Sequence, residues 1–271
     1  MRSSVIIPTY NEPDRLALVL EGLLRQSQAP DEVCIGDDGS GPQTKAVIEC
    51  FQGRFRSPIV HAWHPDDGFR KWAVCNEAVR RSSGDWLLFI DGDSIPHRHW
   101  VRDHLQWSHR GDVLCGRRVK LGPQLSPKVD AQLVRSGVLE RWSGPAMLGA
   151  LKGDTERMGL GIRLPGWLAA ALHPRPRKLM GVNFSLSRKA FEGVNGYDSL
   201  WPGRRGDRDI DLRLQRGGYR FVAVIGRAIV YHLHHLERPN SEAIEARVAE
   251  EERSKRVQCE VGLRDLRAVK G

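Results

Sequence analysis

The sequence predicts an open α/β fold, a mainly parallel sheet with flanking helices. Two observations carry that expectation: strands and helices alternate through most of the chain, and its acidic or polar turns fall at strand ends. Ser4 to Pro8 is a β-branched run stopped by proline and reads as a short buried strand. From Asp14 to Gln26, Leu16, Val19, Leu20, Leu23 and Leu24 recur at helical spacing and give one apolar face. Glu32 to Gly36 is a second strand, followed by a helix over Gln43 to Phe51 and a strand over Pro58 to Ala62. Arg70 to Ser82 reads as helix, and Trp86 to Ile90 as a strongly apolar strand.

The alternation breaks between about Lys120 and Lys178, a stretch rich in Gly, Pro and Arg. It contains an amphipathic run, Val129 to Trp142, and a short apolar one, Trp167 to Leu172. Order returns with a strand over Leu179 to Ser187 and a helix start at Arg188 to Glu192. A helix over Asp209 to Arg216 and short strands at Phe221 to Val224 and Ala228 to Tyr231 follow. Ser241 to Val257 reads as a charged helix with Ser241 as its N-cap and acids preceding bases.

Composition narrows the class. With 271 residues, 40% hydrophobic and 28% charged, the chain can bury a substantial core and is not globally disordered. Cys34, Cys50, Cys75, Cys115 and Cys259 are scattered and form no CxxC pair, so neither a zinc site nor a disulfide framework is indicated. Val5 to Ile7 is too short for a signal-peptide core, and no run approaches the roughly 18 apolar residues of a membrane span. A cytoplasmic protein with reduced thiols is the expectation. The net charge of +9 points to an anionic partner: nucleic acid, a membrane surface or a phosphorylated small molecule. A basic surface kept for solubility fits the charge equally well. The motifs must decide.

Asp91-Gly92-Asp93 follows an apolar strand, and two carboxylates separated by one small residue can hold a hard divalent ion with its phosphate ligands. A DxD alone is a weak signal, because acidic turns are common at strand ends. Asp37-Asp38-Gly39-Ser40 lies at a second strand end. Its acids can cap the next helix, or accept hydrogen bonds from a uracil imide or ribose hydroxyls. Pro8-Thr9-Tyr10-Asn11 lies at a third. The three together describe a nucleotide pocket, with Tyr10 as an aromatic platform.

SVIIPTYNE, IGDDGS and GFRKWAVCNEAVRRSSGDWLLFIDGDS resemble the donor-binding half of inverting family 2 glycosyltransferases of the GT-A fold. The resemblance continues in LMGVNFSLSRKAFEGVNGYD, DRDIDLRLQRGGYRF and VYHLHH. It implies an enzyme that moves a sugar from a nucleotide diphosphate-sugar, with a UDP-sugar the first candidate. The acceptor would be a glycan or glycolipid, as in polysaccharide or lipopolysaccharide synthesis. Its cofactor would be a divalent cation, Mn2+ or Mg2+. One GT-A domain is expected, divided into a nucleotide-binding half (1–117), a flexible acceptor-side insertion (118–178), a catalytic and acceptor half (179–240) and a C-terminal helix (241–271).

The implied roles are specific. Asp37 and Asp38 would hold base and ribose, and Pro8, Tyr10, Glu12, Arg70, Lys71, Asn76 and Gly92 would line the donor site. Asp91 would contact ribose and metal. Asp93 and His232 would bind the metal, with His234 and His235 as further candidates. Asn183 would face the donor sugar. Asp209 takes the place of the catalytic carboxylate, and Asp207, Arg208 and Asp211 would lie on the acceptor side. Each has a plainer reading too: Asp209 and Asp211 as acids stabilising a helix start, the histidines as a surface cluster.

Two departures from the family pattern matter. Arg208-Asp209 stands where Glu-Asp is common, which leaves acceptor contacts open, with Asp207 a substitute for the missing Glu. Cys75 stands where Arg is common, leaving Arg70 or Lys71 to supply that charge. In the middle segment, from the edge of the insertion onward, Arg117, Arg118, Lys120, Arg135, Arg141, Arg175, Arg177 and Lys178 are interspersed with Leu and Trp. That is the composition of a flap resting on an anionic membrane, or of a solvated loop with one packed helix. A nucleotidyltransferase is the rival enzyme, but PTYNEP is not its glycine-rich phosphate loop. A nucleic-acid-binding protein ranks last, since no zinc-finger spacing or RNA-recognition aromatic motif is present.

Overall fold

The computed structural model describes residues 1–141, 143–174, 178–236 and 240–265. Its first part follows the expected alternation: β1 (Ser3–Thr9), α1 (Pro13–Leu24), β2 (Glu32–Asp37), α2 (Pro42–Gln52), β3 (Ile59–Trp63), α3 (Lys71–Arg81) and β4 (Trp86–Ile90). Pro13 and Pro42 open their helices, where a fixed φ helps and no amide hydrogen is needed. Next come β5 (Ser94–Pro96), α4 (Trp100–Trp107), β6 (Val113–Cys115) and β7 (Arg117–Lys120). Three short helices follow: α5 (Ala131–Ser136), α6 (Pro145–Leu151) and α7 (Gly166–Leu172). The last part holds β8 (Asn183–Ser187), α8 (Arg188–Gly193), α9 (Gly206–Arg216), β9 (Phe221–Ala223), β10 (Ile229–His232) and α10 (Glu242–Arg253).

Seven strands form the main sheet in the order β3-β2-β1-β4-β8-β6-β9. β8 alone among them runs against its neighbours, pairing antiparallel with β4 and β6. Both faces are covered, and β1 shows how: Val5 and Ile7 enter one core and Ile6 the opposite one. A second sheet, β5-β10-β7, brings the strand after the DxD turn beside the strand that ends at His232.

The insertion differs from expectation. Asp130 caps α5 through its contact with the Leu133 amide, but the helix stops at Gly137, whose φ of 69° is left-handed. The amphipathic run is therefore broken in two. Val134 and Leu139 still pack with Leu121, Leu125, Ile229 and Tyr231, so the segment shares a core with the small sheet. Other bounds move as well. The helix expected from Asp209 already begins at Gly206. The strand expected from Leu179 begins only at Asn183. The final helix keeps its Ser241 cap but ends at Arg253, with bends and turns following to residue 265. No helix among the described residues is long and apolar enough to cross a membrane.

Candidate active site

The three turns converge because β2, β1 and β4 are parallel neighbours, so their carboxyl ends lie side by side. The Asp38 amide donates to the Thr9 carbonyl at 3.0 Å, tying the second turn to the first. Asp37 is fully buried and held by the Ser40 amide and the His61 Nε2, each at 2.9 Å. Asp38 accepts from the Arg70 amide at 2.9 Å through Oδ2. Its Oδ1 lies 3.1 Å from His64 Nε2, yet neither atom has an aligned hydrogen bond. A buried acceptor without an aligned donor suits the imide or hydroxyl of a nucleoside. Gly39 has to be glycine: its φ is 89°, and a Cβ would lie 2.4 Å from the Asp66 Cα.

Tyr10 is half-exposed, with its hydroxyl donating to Asp66 at 2.9 Å. Trp63, opposite Asp37 in the register, is likewise half-exposed and donates from Nε1 to the Ser40 carbonyl at 3.1 Å. It is a second aromatic beside the pocket that the motif reading missed. Its place at a strand end was the available signal. Pro8 lies in β1 with its carbonyl 2.9 Å from where a Gly92 Cβ would stand, so residue 92 must be small. Glu12 lies 3.3 Å from Arg15 on α1, and the same guanidinium nitrogen stands 3.9 Å from Asp93, so Glu12 borders the site through Arg15.

Lys71 opens α3 and donates to Asp91 Oδ1 at 2.7 Å. Burial works against its ammonium, but Asp91 more than compensates and raises its pKa, so the cation persists. Asp93 lies 3.1 Å from His232 Nδ1 and 3.4 Å from His235 Nε2. Burial alone would lift Asp93, but the His232 hydrogen bond and the His235 and Lys71 charges hold it down at about 2. One ligand atom from each of Asp93, His232 and His235 falls within 4.8 Å of the others, so this carboxylate and two imidazoles can converge on one divalent ion. Arg118 approaches His232 Nε2 at 3.2 Å. Guanidinium only donates, so Nε2 can serve as its acceptor while Nδ1 faces Asp93 and the Ser94 hydroxyl. His234 is exposed and contributes its backbone, receiving Arg15 at the carbonyl and bonding Ser126 through the amide. It stands outside the triad.

The structure corrects several expected roles. Asp209 does not face the pocket. It is 1% exposed, and Arg213 Nε lies 3.1 Å from both its oxygens. Asp211 is fully buried, accepting from the Leu179 amide and Arg208 at 2.9 Å each. Arg208 reaches Glu252 of α10 at 2.7 Å, so it fastens the C-terminal helix instead of lining an acceptor site. The buried Asn183 makes four hydrogen bonds, three of them fully buried. Its Oδ1 accepts from Trp100 (2.9 Å) and His104 (3.1 Å), and its Nδ2 donates to the carbonyls of Arg117 (2.7 Å) and Ala228 (2.9 Å). With every site used, it joins β8, α4 and β7 and has nothing left for a sugar. Asn76 clamps both backbone groups of Tyr197, at 2.8 and 2.9 Å. Arg70 gives its amide to Asp38 while its guanidinium reaches the Pro65 carbonyl at 2.8 Å.

The carboxylate that α9 does bring toward the pocket is Asp207. It accepts from the Gly181 amide at 3.2 Å and lies in the field of both Lys71 and Asp91. Burial raises its pKa above the usual aspartate value, which makes it more basic. The preceding Gly206 packs on Trp72, where a Cβ would come within 2.5 Å of the ring. That contact seats the helix start beside α3.

A model of glycosyl transferase family 2 matches residues 4–156, more than half of the chain. The chain belongs to glycosyl transferase family 2. Validoxylamine A glucosyltransferase of Streptomyces hygroscopicus subsp. limoneus is 34% identical over 110 residues, covering 40% of this chain and 24% of that protein. Glycosyltransferase AglE of Haloferax volcanii is 32% identical over 100 residues, covering 36% of this family 2 chain and 32% of AglE. The chain thus matches only about a quarter to a third of the length of these curated relatives. Among solved structures, TarS 1-349 of S. aureus superposes with a TM-score of 0.56 at 17% identity, over 86% of this chain and 60% of that one. Mannosyltransferase PcManGT from Pyrobaculum calidifontis, solved with GDP-Man and Mn2+, gives 0.55 at 18% identity, over 86% and 56%. These likenesses establish the GT-A fold.

Proposed function

We propose that this family 2 chain transfers a sugar, with inversion, from a nucleotide diphosphate-sugar to a glycan or glycolipid hydroxyl. The observation that carries the reading is the convergence of Asp38, Lys71–Asp91 and the Asp93–His232–His235 triad at the strand ends. TarS has been solved in complex with UDP and with UDP-GlcNAc, which supports a UDP-sugar as first candidate.

In this reading Asp38 accepts from the nucleoside and Tyr10 lies against the base. Lys71, kept cationic by Asp91, faces the diphosphate. Asp93, His232 and His235 would hold a divalent cation, which when bound supplies Lewis-acid neutralisation of the leaving group. Asp207 takes the proton from the acceptor hydroxyl as that oxygen bonds to the anomeric carbon. The bond from that carbon to the phosphate oxygen breaks, and the nucleoside diphosphate leaves with the electron pair. A peripheral contact with an anionic membrane accompanies this proposal, supported by the exposed Leu148, Leu151, Trp167 and Leu172 of the insertion. Trp142, Arg175 and Arg177, which the sequence nominated for it, lie outside the described residues.

A thermal-shift panel of nucleotide sugars with and without Mn2+ tests the reading. One donor should raise Tm only when the cation is present. Absence of a shift with every nucleoside diphosphate sugar, together with absence of turnover, would overturn it.

A further inference from the structure

A second charged cleft, of about 280 Å3, opens beside the C-terminal end of α1. Its walls include Arg25, Arg98, His99, Glu140, Arg141 and Arg163. Pro13, at the start of the same helix, follows the Tyr10 turn; the 12 residues of α1 at ~1.5 Å each put about 18 Å between the two ends. The cleft is therefore separate from the strand-end site. Two of its four guanidiniums are paired. Arg25 meets Glu140 at 2.9 Å, and Arg163 grips Asp103, which also receives Arg227 at 2.9 Å. Glu140 is already committed, since its Oε1 also accepts the Arg98 amide at 3.0 Å. The Arg98 and Arg141 side chains lie exposed at the rim, and no carboxylate partner for either occurs among the described residues. The result is a concave surface with an excess of positive charge and two forked donors turned to solvent.

We propose that this cleft is a second anion site that takes a phosphate group. Guanidinium forks match the oxygens of a phosphate mono- or diester, and Arg25 and Arg163 are already held in place by their carboxylates. Glu140 fixes the wall from α1 to the turn after β5, so the site costs little ordering when it fills. Leu148 and Leu151 are exposed on α6, the helix that follows the Arg141 wall. The phosphate can thus be free in solution or belong to a lipid headgroup.

Two arms distinguish those sources. In the first, inorganic phosphate is titrated at constant ionic strength while Tm is read. The wild type, Lys71→Ala (which weakens the strand-end site) and the double variant Arg98→Ala/Arg141→Ala are compared. A rise of about 2–4 °C in the wild type and in Lys71→Ala, absent in the double variant, establishes a free-phosphate site. In the second arm, co-sedimentation with phosphatidylglycerol vesicles is compared with phosphatidylcholine vesicles. Binding that requires phosphatidylglycerol and falls at least tenfold in the double variant establishes the headgroup. Arg98→Lys/Arg141→Lys should restore part of either effect, because it returns the charge without the fork. If both arms give the same result for the wild type and the double alanine variant, the proposal is overturned. Neither arm measures sugar transfer, so its failure is distinguishable from failure of the transferase reading, while the vesicle arm also bears on the membrane contact proposed above.

Discussion

Asp209 and Arg213 form a closed pair inside the protein, one helical turn apart, with Arg213 also capping the carbonyls of Val194 and Gly196. The arginine is fully buried and its partner nearly so. Asp209→Asn would leave a buried guanidinium without its counter-charge, at a cost of ~3–5 kcal/mol. In a domain of this size that lowers Tm by roughly 6–20 °C. Calorimetry checks the fall, and turnover per folded molecule should stay near normal. An unchanged Tm with lost turnover would return the base role to Asp209.

Asp207→Asn should behave in the opposite way. The folded-state pKa of Asp207 is raised, so at neutral pH its ionised form is less comfortable in the folded protein than in the unfolded chain. The amide removes that penalty, and Tm should hold or rise. The rate should drop ~10²–10⁴-fold. In the wild type the base form is required, so kcat/KM climbs with pH through a pKa above the ordinary aspartate value of ~3.9. A variant whose rate matches the wild type, with the same acid limb, would exclude Asp207.

Cation binding is predicted to depend on Asp93 and His235 but not on His234. The first two converge on one point, while among the described residues His234 is held through its backbone and stands outside that cluster. Electron paramagnetic resonance of Mn2+ added to protein without donor gives a direct readout. Asp93→Ala should abolish the bound signal, His235→Ala should weaken it, and His234→Ala should match the wild type. Equal losses in His234→Ala and His235→Ala would contradict the triad.

For Asn183 the expected defect is in stability. Asn183→Ala strands the Trp100 indole, His104 and the Ala228 carbonyl in the interior, each unsatisfied group costing ~1–3 kcal/mol, and frees the part-buried Arg117 carbonyl. A reduced Tm with unchanged donor KM is the expected pair of measurements. A donor KM that rises while Tm holds would place Asn183 at the sugar instead.

The strands β1, β2 and β4 and the turns that follow them were legible because a buried parallel strand writes a continuous apolar run, and the chemistry begins where the run stops. β5, β6 and β7 were not: they are three or four residues long, and Gly116 interrupts the last two. The triad was half legible. Three neighbouring histidines could be nominated from VYHLHH, but which of them meet Asp93 depends on the pairing of β10 with β5.

By itself the sequence determined the alternating fold, the family and the acidic strand ends, since these rest on local patterns of hydrophobicity and on motifs carried by a few consecutive residues. Only the tertiary structure decided which polar residues face the pocket. On α9, Asp207 and Asp209 are two positions apart, so they point in widely different directions around the helix. One meets the field of Lys71 and Asp91, and the other meets Arg213 in the core. The rotation of a helix is fixed by what packs on it, here Gly206 against Trp72 and Ile210 within the core that also holds Trp201 and Ile244. That packing joins residues far apart in the chain.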